Sequence, residues 1–155
     1  RIDGALELDG TGAVGLGNGD RYIENQGAFT ISSWVQLTET STFTGLHMGN
    51  PVGWDWLGND IRVRVSNEAN FLRSSAPELR SMGTWVLVTI VHDDIDQTTE
   101  LYVNDRLAGS RSADRVIRLN PSNGAMGEGL VGLIDDARFY ERALCPVEVA
   151  ALFNQ

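Results

Sequence analysis

Short apolar runs separated by clusters of turn-forming residues constrain the fold of this chain more than any other feature of its sequence. The runs are rich in Val, Ile, Trp and Tyr, and Gly, Asn, Asp and Ser separate them. This pattern predicts many strands joined by turns, and hence an all-β chain. The expected strands are ALELD, AVGLG, FTISSWVQL, TGLHMG, GWDWLG, DIRVRVS, TWVLVTIVH, TELYVND, VIRLN (116–120) and LVGLIDDARFY.

Two of these segments indicate how the strands are layered. The run WVLVTIV, from Trp85 to Val91, is apolar at both odd and even positions, as expected for a central strand that is covered on both faces. The run IRVRV, from Ile61 to Val65, alternates aliphatic residues with two arginines, so one of its faces should contact water. Together they predict a two-layer β-sandwich.

Only the C-terminal segment CPVEVAALFNQ has a helical pattern. Pro146 suits the first helical position, and Glu148 lies in the first turn, where the helix dipole favours an acid. Val149, Leu152 and Phe153 form an apolar stripe at helical spacing. We therefore expect one short terminal helix that packs on the sandwich.

Length and charge limit the possible partners. A chain of 155 residues is expected to form one domain, residues 1–155. Its net charge of −9 disfavours nucleic acid and anionic membranes as partners, and no apolar run is long enough to insert in a membrane. The single cysteine, Cys145, excludes an internal disulfide. The N-terminal sequence RIDGALELDG lacks the shape of a signal peptide, so we expect a module of a larger protein.

Four segments resemble, in order, the laminin G-like, concanavalin A-like lectin domains. They are ALELDGTGAVGLGN, GAFTISSWVQL, TWVLVTIVHDDIDQTTELYVNDRLAG and GLIDDARFYERALCPVEVAALFN. The resemblance implies an antiparallel jelly-roll β-sandwich with a short C-terminal helix. It also implies an extracellular or cell-surface location, a role in carbohydrate binding or cell adhesion, and as partners a glycan or an extracellular protein together with other domains of the parent chain.

One acid in the last predicted strand needs an explanation. Alternation places Asp135 with Leu133, Ala137 and Phe139 on the apolar face of that strand. An ionised carboxylate that faces apolar packing requires a hydrogen-bond donor, a cation or a metal.

The resemblance implies a metal site at this acid, because it makes the first and last long strands neighbours and so brings Asp9 close to Asp135. Two carboxylates with backbone carbonyls and water suit calcium, so we expect a structural calcium at Asp9 and Asp135. The alternative is that Asp135 accepts hydrogen bonds from turn amides or pairs with Arg138 or Arg142.

A second candidate site surrounds the tryptophans of HMGNPVGWDWLGND. In a strand, Trp54 and Trp56 share a face, and flat aromatic rings pack against the apolar faces of sugars. His47, Asn59 and Arg62 are nearby in sequence and are able to hydrogen-bond sugar hydroxyls. These five residues are our predicted carbohydrate site. The alternative is that both tryptophans belong to the core.

No catalytic motif accompanies these candidates. The acids of HDDIDQTTE, from His92 to Glu100, are typical of a solvated hairpin turn, because they lack the spacing of a calcium-binding loop. Retaining glycanases need two carboxylates on one face about 5 Å apart, and the spacing of Asp135 and Glu141 is too long. The sequence therefore predicts a non-catalytic binding module. The alternative function is a protein–protein interaction or spacer module that binds no sugar.

Overall fold

The computed structural model describes residues 4–18, 27–40, 42–48, 52–65, 72–112 and 123–155. Its strands are β1 (Leu6–Asp9), β2 (Val14–Asn18), β3 (Ala28–Leu37), β4 (Phe43–His47), β5 (Gly53–Leu57), β6 (Asp60–Arg64), β7 (Leu72–Ser75), β8 (Trp85–Asp93), β9 (Thr98–Val103), β10 (Arg106–Ser112), β11 (Asn123–Met126) and β12 (Val131–Tyr140). A 3₁₀ turn spans Pro77–Arg80, and helix α1 spans Pro146–Phe153.

The strands form two antiparallel sheets. The first sheet has the order β1-β12-β3-β8-β9-β10, and the second has the order β2-β11-β4-β5-β6-β7. This arrangement confirms the predicted antiparallel β-sandwich with a short C-terminal helix. Strands β7, β10 and β11 were not predicted as separate strands, and the predicted strand at 116–120 lies outside the described residues.

The main core lies between the two sheets. Strand β8 is buried on both faces, as its apolar pattern predicts: Val88 and Ile90 contact the inter-sheet core, and Leu87 and Val91 contact a second cluster on the outer side. Strands from both sheets supply the largest fully buried side chains of the inter-sheet core, which are Phe29, Ile31, Phe43, Trp54, Ile61, Ile90, Leu101 and Ile134.

Helix α1 covers the outer face of the first sheet. Val149 and Leu152 are buried there, and the ring of Phe153 stacks on Trp34 with centroids 5.7 Å apart. The helical stripe predicted from the sequence is therefore confirmed. Within the described residues, no helix has both the length and the hydropathy that crossing a bilayer requires.

The N-terminus of α1 is fixed by an acid of its first turn. The Glu148 carboxylate accepts the Cys145 backbone N–H at 3.0 Å and two N–H groups of Arg142 at 2.8 and 2.6 Å. These bonds, with Arg142 making the largest contribution, lower the pKa of Glu148 to about 2. Glu148 thus caps the helix although Cys145 is a weak capping residue.

A β-bulge in β12 changes the side that its residues face. Asp135 pairs with Trp34, but the next pair joins Arg138 to Ser32, so β12 contains one extra residue and Asp136 adopts a φ of 48°. Directly paired residues of antiparallel strands point to the same face. Asp135 therefore faces outwards beside Trp34, while Ile134 is in the core.

The predicted alternation of β12 is wrong for this reason. Ile134 is 1% exposed and lies in the inter-sheet core, whereas Leu133 and Asp135 are on the outer face and Ala137 is exposed. Phe139 packs against the core as predicted, because the extra residue shifts the inward-facing positions of β12 from even to odd residue numbers. Alternation fails to locate a bulge, since it assumes an uninterrupted period of two.

Candidate functional site

The two tryptophans of β5 are core residues. Trp54 and Trp56 are 2% and 3% exposed, and Trp54 meets the edge of the Phe43 ring at a centroid distance of 5.7 Å. A side chain at Gly45 would overlap the Trp54 indole, so the opposing strand is glycine where the ring packs. The predicted aromatic platform is therefore wrong, and the alternative that both residues are core is confirmed.

The polar residues of the second sheet lie on its outer side, because the tryptophans occupy the inner one. We call this surface the open face and define it by Thr44, His47, Gly53, Asp55, Arg62, Arg64 and Arg73. Strand register places these residues in two rows across the sheet. One row runs Thr44–Asp55–Arg62–Arg73, and the next runs His47–Gly53–Arg64.

An ion-pair cluster occupies the centre of the open face. The Oδ2 atom of Asp55 accepts Arg62 Nε–H at 2.9 Å, Arg62 Nη2–H at 2.5 Å and Arg64 Nη2–H at 3.1 Å. The side chains of Asp55 and Arg62 are both 18% exposed, and that of Arg64 is 38% exposed. One carboxylate thus holds two guanidinium groups in a fixed orientation on a surface that solvent reaches.

The open face continues across small residues towards β2. Ala125 pairs with His47 on one side and with Gly15 on the other, and Gly15 and Gly17 are exposed. With no large side chain at these positions, a ligand bound near His47 is able to approach the strand backbone closely.

The structure brings together only part of the predicted carbohydrate site. His47 and Arg62 share the open face, and Asn59 is exposed in the tight turn between β5 and β6. Sequence reasoning did not assign Arg64 and Arg73 to the site. The alternation of IRVRV nevertheless contained a signal for Arg64, because it places that residue on the same face as Arg62.

The predicted calcium ligands do not meet. Strand β1 pairs with β12, as the resemblance implied, but Asp9 pairs with Val131 and Leu6 pairs with Ile134. Asp9 and Asp135 are therefore four positions apart along the ladder, or ~13 Å at strand spacing.

Each of the two acids has local hydrogen-bond donors instead. Asp9 is exposed and accepts the Oγ1–H and N–H of Thr11 at 2.6 and 2.9 Å, and these bonds lower its pKa, the side-chain bond having the larger effect. Asp135 accepts the backbone N–H of Asp136 at 2.7 Å, which is the turn-amide alternative. The two residues do not fit a shared metal ion, and calcium as a structural cofactor of the chain stays a prediction.

Another cluster with a titratable residue, around His92, has a structural role. His92 is fully buried, with Nδ1 2.9 Å from Thr99 Oγ1 and Nε2 2.8 Å from Asp94 Oδ1, at the base of the β8–β9 turn. This confirms a hairpin at HDDIDQTTE. Among the residues that the structure describes, no group of three or more His, Cys, Asp or Glu side chains is arranged to hold a metal ion.

Comparison with known proteins identifies the family to which the fold belongs. A family model described as the concanavalin A-like lectin/glucanases superfamily, of laminin G type, matches residues 8–150. No curated protein sequence matches the chain significantly.

Two solved structures are similar over almost all of this chain. The first is domain 4 of AbnA, a GH43 extracellular arabinanase from Geobacillus stearothermophilus, in complex with arabinotriose. It has a TM-score of 0.72 and 22% identity, over 97% of this chain and 79% of that chain. The second is the Ruminococcus gnavus IT-sialidase CBM40 bound to alpha2,3 sialyllactose, with a TM-score of 0.73 and 14% identity over 96% of each chain.

A third similar structure is the binding domain of Botulinum Neurotoxin DC in complex with SialylT. It has a TM-score of 0.62 and 18% identity, and the match spans 83% of this chain but only 35% of that one. At these identities, the three similarities establish a shared jelly-roll fold.

Proposed function

The chain belongs to the concanavalin A-like lectin/glucanases superfamily, and on this basis we propose that it is a non-catalytic carbohydrate-binding module whose ligand lies on the open face. The superfamily hosts several functions on one fold, so the site has to support the assignment. That support comes from the polar rows of the second sheet.

The ion-pair cluster is the observation that carries this proposal. Asp55 holds the guanidinium groups of Arg62 and Arg64 within hydrogen-bond distance before any ligand arrives. Fixed polar groups lose less side-chain entropy on binding than mobile ones, so a sugar is bound by donors that are already positioned. His47 adds a ring nitrogen in the adjacent row, and Arg73 is exposed at the β7 edge.

The same cluster supports binding without catalysis. Hydrolysis of a glycosidic bond needs one carboxyl group that donates a proton and a second carboxylate facing it. Asp55 Oδ2 is instead occupied by three guanidinium N–H groups. On the same side of the second sheet, the other described acid of β5 and β6 is Asp60, two residues before Arg62 on β6.

The proposal also covers where the protein is located and what kind of protein contains the module. Domain 4 of the arabinanase named above is part of an extracellular enzyme, and this chain matches most of that domain. We propose that this module is likewise secreted or displayed at the cell surface, within a multidomain protein. Such a module would hold its parent chain against a glycan.

One observation favours the alternative of a protein-interaction or spacer module. Because Trp54 and Trp56 are buried, the described part of the open face has no Trp, Tyr or Phe ring on which a sugar can stack. Under this alternative, the arginines would contact acidic side chains of a neighbouring protein. The two functions differ in whether free oligosaccharides bind.

A glycan array distinguishes the two. The domain and its Arg62→Gln variant are screened with calcium and with chelator, and Arg106→Gln is the matched control. Arg106 lies on β10, in the other sheet, and its Nη2 atom forms an ion pair with Glu78 Oε1 at 2.9 Å. We expect defined glycans to bind the parent and Arg106→Gln, and binding to Arg62→Gln to fall at least ten-fold. A blank array for the folded parent would overturn the proposal, and an unchanged melting temperature with chelator would contradict the predicted structural calcium.

A further inference from the structure

The charge of the open face is opposite in sign to that of the whole chain. The protein has 12 basic and 21 acidic residues, for a net charge of −9. The described open face nevertheless presents Arg62, Arg64 and Arg73, against the acids Asp55 and Asp60. Three arginines on adjacent strands thus make a local excess of positive charge on an acidic protein.

Apolar stacking contributes little to recognition on this part of the face. The Phe and Trp side chains of β4 and β5, which are Phe43, Trp54 and Trp56, all point into the core. A ligand on the open face must therefore be recognised mainly by hydrogen bonds and charge.

The hydrogen-bonding capacity of the face is dominated by donors. Arginine has five N–H donors and no acceptor, whereas a neutral sugar hydroxyl both donates and accepts. Asp55, the central acceptor, is already engaged through Oδ2. A carboxylate accepts from guanidinium groups in a planar, charge-assisted geometry that a hydroxyl does not match.

We infer that the open face selects glycans that carry a carboxylate, such as uronic or sialic acid sugars, over neutral glycans of the same shape. This inference rests on the proposed carbohydrate binding at the same face. Arg64 and Arg73 are the residues that set the selectivity, since the side chain of Arg64 is 38% exposed, against 18% for that of Arg62, and Arg73 is exposed.

The net charge determines which probe is suitable. A chain of net charge −9 repels a long acidic polymer before contact, and this repulsion would mask a local preference. Short oligosaccharides with one to three carboxylates avoid most of this effect. Trigalacturonic acid and its methyl ester form a pair that differs in charge but barely in shape, and 3′-sialyllactose and its methyl ester form a second pair.

Isothermal titration of the intact domain with both pairs tests the inference. We expect at least one acidic probe to bind ten-fold or more tightly than its neutral partner. Arg64→Gln and Arg73→Gln should each reduce this ratio at least three-fold, while Arg106→Gln, which removes the same charge elsewhere, should preserve it. Melting curves of all variants establish that they are folded. A sulfated disaccharide in a parallel titration distinguishes carboxylate selectivity from attraction to any anion.

Each other outcome has a definite meaning. Equal affinity for acid and ester would overturn the inference and leave the proposed function standing. A ratio unchanged in Arg64→Gln and Arg73→Gln would overturn the assignment to this face. Equal or tighter binding of the sulfated probe would replace carboxylate selectivity by general anion binding. If neither acid binds, the inference is wrong, and the proposed function then survives only if the array shows neutral glycans bound.

Discussion

The outer faces of the two sheets have opposite chemistry. On the first sheet, Trp34, Leu87 and Tyr102 are buried beneath helix α1 and the segment that precedes it. On the second sheet, the corresponding surface presents Asp55, Arg62 and other polar residues to solvent. The first face therefore contributes apolar burial to stability, whereas the second is available for a ligand.

This difference is encoded in single strands. From Trp85 to Val91, strand β8 has apolar residues on both faces, with Thr89 as its one polar residue, and both faces are covered. Strand β6 alternates aliphatic residues with arginine, and only its aliphatic face is covered. The comparison predicts that substitutions under the helix change stability, and that substitutions on the open face change binding. Four predictions test this division, from the largest expected effect to the smallest.

Trp54→Ala should produce the largest loss of stability. The ring is 2% exposed and packs between Phe43 and Gly45, so its removal leaves a cavity that costs ~3–5 kcal/mol of unfolding free energy. Urea denaturation measures this cost. The control Asn59→Ala, in the exposed turn that follows β5, should change stability by less than ~0.5 kcal/mol. A Trp54→Ala variant that kept its stability but lost glycan binding would contradict the core assignment and would indicate that Trp54 contacts the ligand.

Leu152→Ala should destabilise the covered face by ~2–4 kcal/mol, because Leu152 is buried between α1 and the first sheet. Val147→Ala is the matched control, since Val147 lies in the same helix and is 78% exposed. Glycan binding well below the melting temperature should be the same for both variants. Weaker binding by folded Leu152→Ala would show that the two faces are coupled.

Asp55→Asn should weaken glycan binding and leave stability almost unchanged, the reverse of Leu152→Ala. The carboxylate and its arginines are partly solvated, so the loss of their ion pairs should cost only about 1 kcal/mol or less of stability. Glycan affinity should fall several-fold, since Arg62 and Arg64 are no longer held in place. The variant is compared with Glu78→Gln, which breaks the ion pair of Arg106 in the first sheet. Unchanged affinity in Asp55→Asn would remove the ion-pair cluster from the site.

Glu148→Gln should have the smallest effect, and one that depends on pH. The folded-state pKa of Glu148 is lowered to about 2 by its bonds to Arg142 and Cys145, from a model-peptide value of 4.5. The stabilisation by this carboxylate is therefore fully present above pH ~4.5 and is lost as the pH falls towards ~2.

The melting temperatures of parent and Glu148→Gln measure this dependence. They should differ slightly at pH 6 and converge as the pH approaches 2. A difference that stays constant from pH 6 to pH 2 would contradict the helix-cap role of the charge.

Much of the fold could be predicted from local patterns. The strand pattern, the doubly covered β8 and the stripe of Val149 and Leu152 all follow from side-chain periodicity, which the structure preserves. The bulge at Asp135–Arg138 could not be predicted in this way, because one inserted residue reverses the parity and no local signal marks it. The expected inward orientation of Asp135 was wrong for that reason.

The candidate site was only partly predictable. Periodicity correctly placed Trp54 and Trp56 on one face of β5, but it does not show whether that face is the inner or the outer one. The pairing of Asp55 with Arg62 depends on register between strands, which follows from the tight turn between β5 and β6. The separation of Asp9 from Asp135 is likewise a register property of two strands far apart in sequence.

The most direct test of the central claim, that the open face is the binding surface, is to map amide chemical shifts during titration of the domain with a glycan from the array. The account predicts that the largest shifts occur in β4, β5 and β6, at and beside His47, Asp55 and Arg64, while α1 and β8 remain unchanged. Shifts confined to the helix-covered face, or to loops at one end of the sandwich, would contradict it.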